Sequence, residues 1–219
     1  MEEKSKITQK EETINEKDGS VMVYIPTGIF LMGNEKNSVS VDAFYIDKFP
    51  ITNDQYKKFM VETNYVEPAF WKDKKFNNPD QPVVGVNWDD AVAYANWAEK
   101  KLPEEKEWEK ASRGIDGREY PWGNMKPNQS LAVFDLDISI GSPTNVGTHL
   151  AGVSPYGCYD MAGNIWGWCQ GWYAEGKYRV VRGGSWINHR NILSCAYRSC
   201  SVPIGKDNNV GFRCVKGIT

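Results

Sequence analysis

Long apolar runs are missing from this 219-residue chain: no stretch of about 18 apolar residues occurs, which excludes a transmembrane helix. An excess of one charge is missing too. With 26 Lys+Arg against 28 Asp+Glu the net charge is −2, which argues against a generic basic nucleic-acid binder. Histidine is scarce, His149 and His189 being the only two, and no Gly-x-Ser-x-Gly elbow occurs. Met1–Lys6 lacks the apolar core of a secretory signal, so the chain is expected to be cytoplasmic as synthesised, unless a virus-like particle carries it out. The five cysteines (Cys158, Cys169, Cys195, Cys200, Cys214) all fall in the last third. An odd count without a signal peptide speaks against a disulfide framework, and most are expected to be reduced, buried thiols.

What is present describes a globular domain with many tight turns around bulky anchors: nine Trp and 20 Gly, 41% hydrophobic and 25% charged residues. Residues 1–18 carry ten charges and three large apolar side chains, which predicts a flexible charged leader ahead of one domain over 19–219. Residues 160–219 hold eight basic and three acidic side chains, so this segment is +5 and the rest −7. It reads as Arg-rich strands with solvated ends or as a locally basic binding surface.

Strands are expected at Val21–Ile25 and Gly28–Gly33, joined by a turn, and at Val41–Asp47 as an edge or half-buried strand. Two more are expected at Tyr178–Arg182 and Val210–Val215. Three helices follow from local signals. Thr52 and Gln55 have capping-box spacing before Tyr56, Phe59 and Met60. Asp89 and Asp90 precede Ala91, Tyr94, Ala95 and Ala98 at positions i, i+3, i+4 and i+7. Pro103 opens a short helix that points Trp108 and Ala111 inward and ends at Gly114. From Tyr120 to Tyr173 periodicity dissolves, and a loop this long should be firmly held or functional. The class is α+β, with irregular structure dominating.

Pro82-Val83-Val84-Gly85-Val86-Asn87-Trp88, Lys101-Leu102-Pro103 with Glu107-Trp108-Glu109, and Tyr120-Pro121-Trp122-Gly123-Asn124 follow one another along the chain. Ser154 to Trp166, Arg182-Gly183-Gly184-Ser185-Trp186 and Gly211-Phe212-Arg213 are more specific still. In order from about Val21 to Val215, these segments resemble the formylglycine-generating enzyme (sulfatase-modifying factor) superfamily. The resemblance implies a C-type-lectin-like fold: a small twisted antiparallel sheet, flanking helices and long ordered loops. It further implies that Trp88, Trp108, Trp122 and Trp166 are largely buried with paired indole N–H groups.

The copper-dependent oxidases of this superfamily place two cysteines after the Gly-Gly-Ser-Trp segment, soft ligands that select Cu(I). The matching positions here are Asn188 and Leu193, so no catalytic or metal-binding residue is carried over. Cys195 and Cys200 repeat the spacing seven positions later, which keeps an oxidase with displaced cysteines as an alternative; a structural assembly subunit is a third. No cofactor is expected. Structural calcium, which family loops bind through hard oxygens, loses two ligands to Gly167 and Val133, leaving Asn164 the role of a turn cap.

The stretch 187–210 has an unusual composition. Where family tails are dense in asparagine stand Ser, Cys, Val, Ile, Gly, His and Asp, each reachable from the codon AAC by changing adenines only. Glu, Gln, Met and Trp are not reachable that way and are absent, although their 35 occurrences in 219 residues would place roughly four in a window of 24. This resembles the variable proteins of diversity-generating retroelements; ordinary drift in a loop is the competing account. The resemblance implies a non-enzymatic protein that binds a macromolecular ligand, a protein rather than nucleic acid. The surface would comprise Ile187, Asn188, His189, Asn191, Ile192, Ser194, Ser199, Cys200, Ser201, Ile204, Gly205 and Asp207. Leu193, Ala196, Tyr197 and Phe212 are expected inside, and alanine at the polar window positions is expected to leave stability nearly unchanged.

Overall fold

The structure is a computed structural model and describes residues 11–218. All three helices begin where local chemistry places them. In α1 (Asn53–Thr63) the Thr52 hydroxyl accepts from the Gln55 backbone N–H while the Gln55 side chain accepts from the Thr52 N–H, a reciprocal cap. In α2 (Trp88–Trp97) Asn87 and Asp90 make the same exchange, and Ala91, Tyr94 and Ala95 are buried, as is Ala98 just beyond its end. In α3 (Glu105–Arg113) Trp108 and Ala111 point into the core and Gly114, with φ 72°, ends the helix.

Two four-stranded sheets and a ribbon complete the domain. The first sheet has the order β1 (Glu12–Ile14), β2 (Val21–Ile25), β5 (Phe44–Asp47), β10 (Val215–Gly217), all antiparallel. The ribbon pairs β3 (Gly28–Met32) with β4 (Asn37–Val41). The second sheet has the order β8 (Arg198–Ser201), β7 (Tyr178–Arg182), β6 (Trp166–Ala174), β9 (Val210–Gly211), with β9 parallel to β6. Its central pair is buried on both faces where Trp168–Cys169 lies beside Val180–Val181. Trp168 and Val181 join the core under α1 and α2, while their neighbours Cys169 and Val180 join a second core with Trp108, Phe30 and Ile46.

The structure corrects several expectations. Residues 11–18 are not a free leader: β1 pairs with β2, and Asn15 and Asp18 are buried. Residues 1–10 of that expectation lie outside the described residues. The Val41–Asp47 strand is two strands, and β5 is central, because β10 covers its second edge. The aperiodic stretch before Tyr173 contains β6, the longest strand, whose two buried faces erase the alternation that marks a half-buried strand.

Charge is buried deliberately in this fold. The Lys100 ammonium, fully enclosed, lies 2.6 Å from both Asp18 and Asp47 carboxylate oxygens and donates to the Ser20 hydroxyl. Tyr94 donates to Asp18, and the Cys214 N–H donates to Asp47, so the chain before β2, the end of α2, β5 and the approach to β10 meet at one network.

Candidate ligand-binding surface

The surface is built outward from Ser185. Its hydroxyl donates to the Asn188 side-chain oxygen at 2.6 Å and accepts from the Asn209 side chain at 2.9 Å, so one buried group ties together both ends of the 187–209 stretch. The Asn188 oxygen also accepts from the Ser185 N–H, and its backbone carbonyl accepts from Asp135. Asn188 is therefore a turn cap, half-buried, and not the free surface residue that its place in the sequence suggested. Alanine there should cost about 1–2 kcal/mol, because the Ser185 donors lose their acceptor. Urea denaturation of Asn188→Ala beside Asn191→Ala measures it; equal midpoints would return Asn188 to the tolerant class.

Beyond that cap the chain makes a short 3-10 turn over Arg190–Ile192, with His189 Nδ1 accepting from the Asn191 N–H. His189, Arg190 and Asn191 are exposed. Ile187 and Ile192 are half-buried, the first against the cluster of Phe76, Val133 and Trp186, the second against the main core. Leu193, Cys195 and Ala196 are buried as expected, and Ser194 is half-buried. Tyr197 was expected inside but is 38% exposed, tilted against Trp166 at 6.2 Å.

Ser199, Cys200 and Ser201 then lie half-buried on β8, the edge of the second sheet. Ser199 pairs with Val181 and Ser201 with Arg179, which puts both serines on the α2 face of the sheet. The loop 202–209 carries the most open apolar side chain of the window, Ile204 at 78%, with exposed Asp207 and half-buried Gly205 nearby. Its backbone is pinned at several points. Gly85 donates to the Asp207 carbonyl, Trp88 to the Pro203 carbonyl and the Trp186 indole to the Asn208 carbonyl, and Lys206 pairs with Asp90 at 2.8 Å. A firmly held backbone thus carries outward side chains, the arrangement that presents a surface without paying for its ordering on binding.

One part of this face escaped the sequence. The Arg179 guanidinium is sandwiched between Trp88 and Trp172, 3.7 and 3.6 Å from the ring centroids, and donates to the Gln170 carbonyl. Arg179 opposes Trp172 across the β6–β7 pair, a register interrupted by irregularities that no sequence pattern marks. Of the four tryptophans expected inside, Trp108 and Trp166 are buried. Trp88 and Trp122 are only half-buried, donating to the Cys169 and Met125 carbonyls.

The cysteines near this surface are unlike one another. Cys195 is enclosed beneath it, 3.1 Å from the Ser112 hydroxyl, and desolvation pushes its thiol up to about 12. Cys200 is half-buried on the edge strand. No group of three or more His, Cys, Asp or Glu able to hold a metal occurs among the described residues. Asn164, in the left-handed region at φ 60°, exchanges hydrogen bonds with the Thr144 backbone. Its side chain ties two loop segments 20 residues apart and is not the local turn cap expected.

Small, largely antiparallel sheets, flanking helices and long loops held by side-chain hydrogen bonds define an α+β, C-type-lectin-like domain. The sulfatase-modifying factor enzyme 1-like domain is matched across residues 8–218, and the chain belongs to that family. It is 31% identical to serine/threonine-protein kinase pkn1 of Chlamydia caviae over 96% of this chain, but spans only 40% of that protein's length. It is 29% identical to the formylglycine-generating enzyme of Bos taurus over 88% of this chain and 74% of the relative. The inactive Cα-formylglycine-generating enzyme 2 of Bos taurus is 32% identical over 90% of this chain and 88% of its own. Among solved structures, PvdO of Pseudomonas aeruginosa superposes with a TM-score of 0.80 at 20% identity, covering 94% of this chain and 98% of its own. Treponema denticola variable protein 1 superposes with a TM-score of 0.77 at 20% identity, covering 95% and 99%. At these identities the structural likeness is one of fold.

Proposed function

We infer that this protein is a non-enzymatic binding protein that recognises another protein through side chains of the 187–209 surface, and that it is a variable protein diversified by a retroelement. One observation carries the reading. The stretch with the adenine-reachable composition carries exposed side chains at His189, Asn191, Ile204 and Asp207 on a pinned backbone, while Leu193 and Cys195 within it and Trp186 and Val210 at its ends are buried. The fold likeness to Treponema denticola variable protein 1 agrees with it. Both enzymatic and inactive formylglycine-generating proteins are similar to this chain, so family membership leaves the choice to the site.

The site favours binding over oxidation. Cu(I) needs accessible thiolates, whereas Asn188 is committed to a turn, Leu193 to the core, and Cys195 to a thiol that burial holds protonated. Cu(I) titration against a chelating competitor should show no stoichiometric binding and no oxidation of a cysteine-containing peptide. Peptide oxidation with Cu(I) that is lost in both Cys195→Ser and Cys200→Ser would establish the oxidase with displaced cysteines instead.

The positive test is a display screen of candidate protein ligands combined with thermal melting. Alanine at Asn191 or Ile204 should shift stability by less than about 0.5 kcal/mol, as at surface sites without special interactions. Affinity for the selected ligand should fall at least tenfold at one or more of them, about 1.4 kcal/mol or more. Uniform affinity across the panel would leave the surface without its assigned role. A near-copy of the 3′ coding segment differing at adenines, beside a reverse transcriptase gene, would test the origin of the pattern independently.

A further inference from the structure

A second site lies where α3 ends against the turn between β2 and β3. A cavity of about 460 Å³ opens there, within the range of small-molecule pockets. Its walls include Ile29, Ile115, Pro155 and Tyr156. Ile29 and Ile115 are 63% and 64% exposed, large apolar side chains left open to water at the rim.

Lys110 also lines this cavity, although the residue as a whole is 1% exposed. Its ammonium donates to the Pro26 carbonyl at 2.5 Å and the Gly28 carbonyl at 3.1 Å. Those acceptors are neutral, so two of the three N–H groups are satisfied without the charge being cancelled. No carboxylate lies within ion-pair distance of Lys110 among the described residues, and burial lowers its pKa with no charged group acting against it. Contrast Lys100, also buried, which holds two carboxylates. The other charges on the cavity wall, Asp116 and Arg118, neutralise each other through a two-pronged contact at 2.9 and 2.7 Å. One buried positive charge is left over, beside an apolar hollow.

We propose that this cavity binds a small monoanion with an apolar tail, a medium-chain monocarboxylate by chemical class, with the carboxylate meeting Lys110 and the chain lying along Ile29 and Ile115. A carboxylate supplies the counter-charge that the fold omits, and it accepts the third N–H. The tail covers apolar surface that is otherwise wetted. The site is separate from the 187–209 surface and does not depend on it.

The probe is octanoate, compared by calorimetry with 1-octanol and octylamine on the full chain. Octanoate should bind with a single site and at least tenfold tighter than octanol, with octylamine weakest. Lys110→Met should abolish the preference for octanoate while keeping octanol binding within about threefold. Should that buried substitution fail to fold, the exposed rim variant Ile115→Glu decides: it should weaken octanoate at least fivefold and octanol less. Saturation of chemical shifts at Ile29 and Ile115 in an NMR titration places the ligand. Equal affinity for the three probes, no octanoate binding at millimolar concentration, or octanoate binding unchanged in the folded variants would each overturn the proposal.

Discussion

Replacing Lys100 by methionine is expected to cost the fold about 3–5 kcal/mol at neutral pH, the penalty for removing one side of a buried ion pair. Asp18 and Asp47, with side chains 0% and 1% exposed, would then keep neutral hydrogen-bond donors but lose their counter-charge. The pH dependence should change with the magnitude. In the native protein burial opposes the Lys100 charge, but the attraction of Asp47 and Asp18 prevails and raises its pKa above the ordinary 10.5. A raised lysine contributes stability at all pH values below about 10.5 and loses it as pH climbs through the folded value.

On the acid side the two carboxylates oppose each other. Burial tends to raise Asp18, yet Lys100 holds it below 3.8, so its contribution is present above that pH and fades as pH falls through the folded value. Asp47, enclosed completely and close to the Asp18 charge, sits above 3.8, so its effect has the other sign. Without Lys100 both carboxyls rise. Stability of Lys100→Met should therefore increase as pH drops from 7 toward 4, where the native protein changes little. Urea denaturation at pH 7.0 and 4.5 measures both effects; a native-like midpoint with a native-like pH response would show the network to be dispensable.

Leu193→Ala is the second large effect, expected at about 2–5 kcal/mol from lost burial plus the residual cavity. Leu193 is 0% exposed within the cluster of Tyr120, Ala132, Phe134 and Ala162. Tyr120 is stacked on Trp122, with an interplanar angle of 3° at 5.3 Å. The site resists collapse from one side: Gly184 already packs so closely that an added Cβ would come within 2.6 Å of a Leu193 methyl. The neighbour two positions earlier, exposed Asn191, should tolerate alanine within about 0.5 kcal/mol. That contrast within three residues is what a scaffold carrying a tolerant surface requires. Comparable losses at the two positions would make the whole turn core.

How much was legible differs by element. The helices were, because their signals are local: Thr52 with Gln55, the acidic pair Asp89 and Asp90 at a helix start, and a buried stripe at Ala91, Tyr94 and Ala95 all act within two turns. The strands at 21–25 and 178–182 were legible from their β-branched runs. β6 was hidden because Trp168 and Cys169 serve opposite cores, and Gly167 and Gly171 interrupt its pattern. Residues 11–18 looked solvated because Asp18 reads as a surface charge until Lys100, 82 residues away, comes beside it. At the candidate surface, Leu193, Ala196 and Phe212 were placed correctly inside, while Tyr197 was not.

By itself the sequence determined the helix starts, the family frame around Gly183-Gly184-Ser185-Trp186, and the stretch of adenine-reachable composition. These rest on caps, periodicity and ordered motifs, all short-range in the chain. Only the tertiary structure decided which side chains of that stretch are free. Asn188 was withdrawn from the surface by Ser185, whose hydroxyl also holds Asn209, and Asp207 was left outward because its carbonyl is held by Gly85. The β8 serines were turned toward α2 by their register with Val181 and Arg179. Each of these outcomes depends on where buried polar groups find partners across folded distances, and a buried donor or acceptor accepts whichever partner the packing delivers.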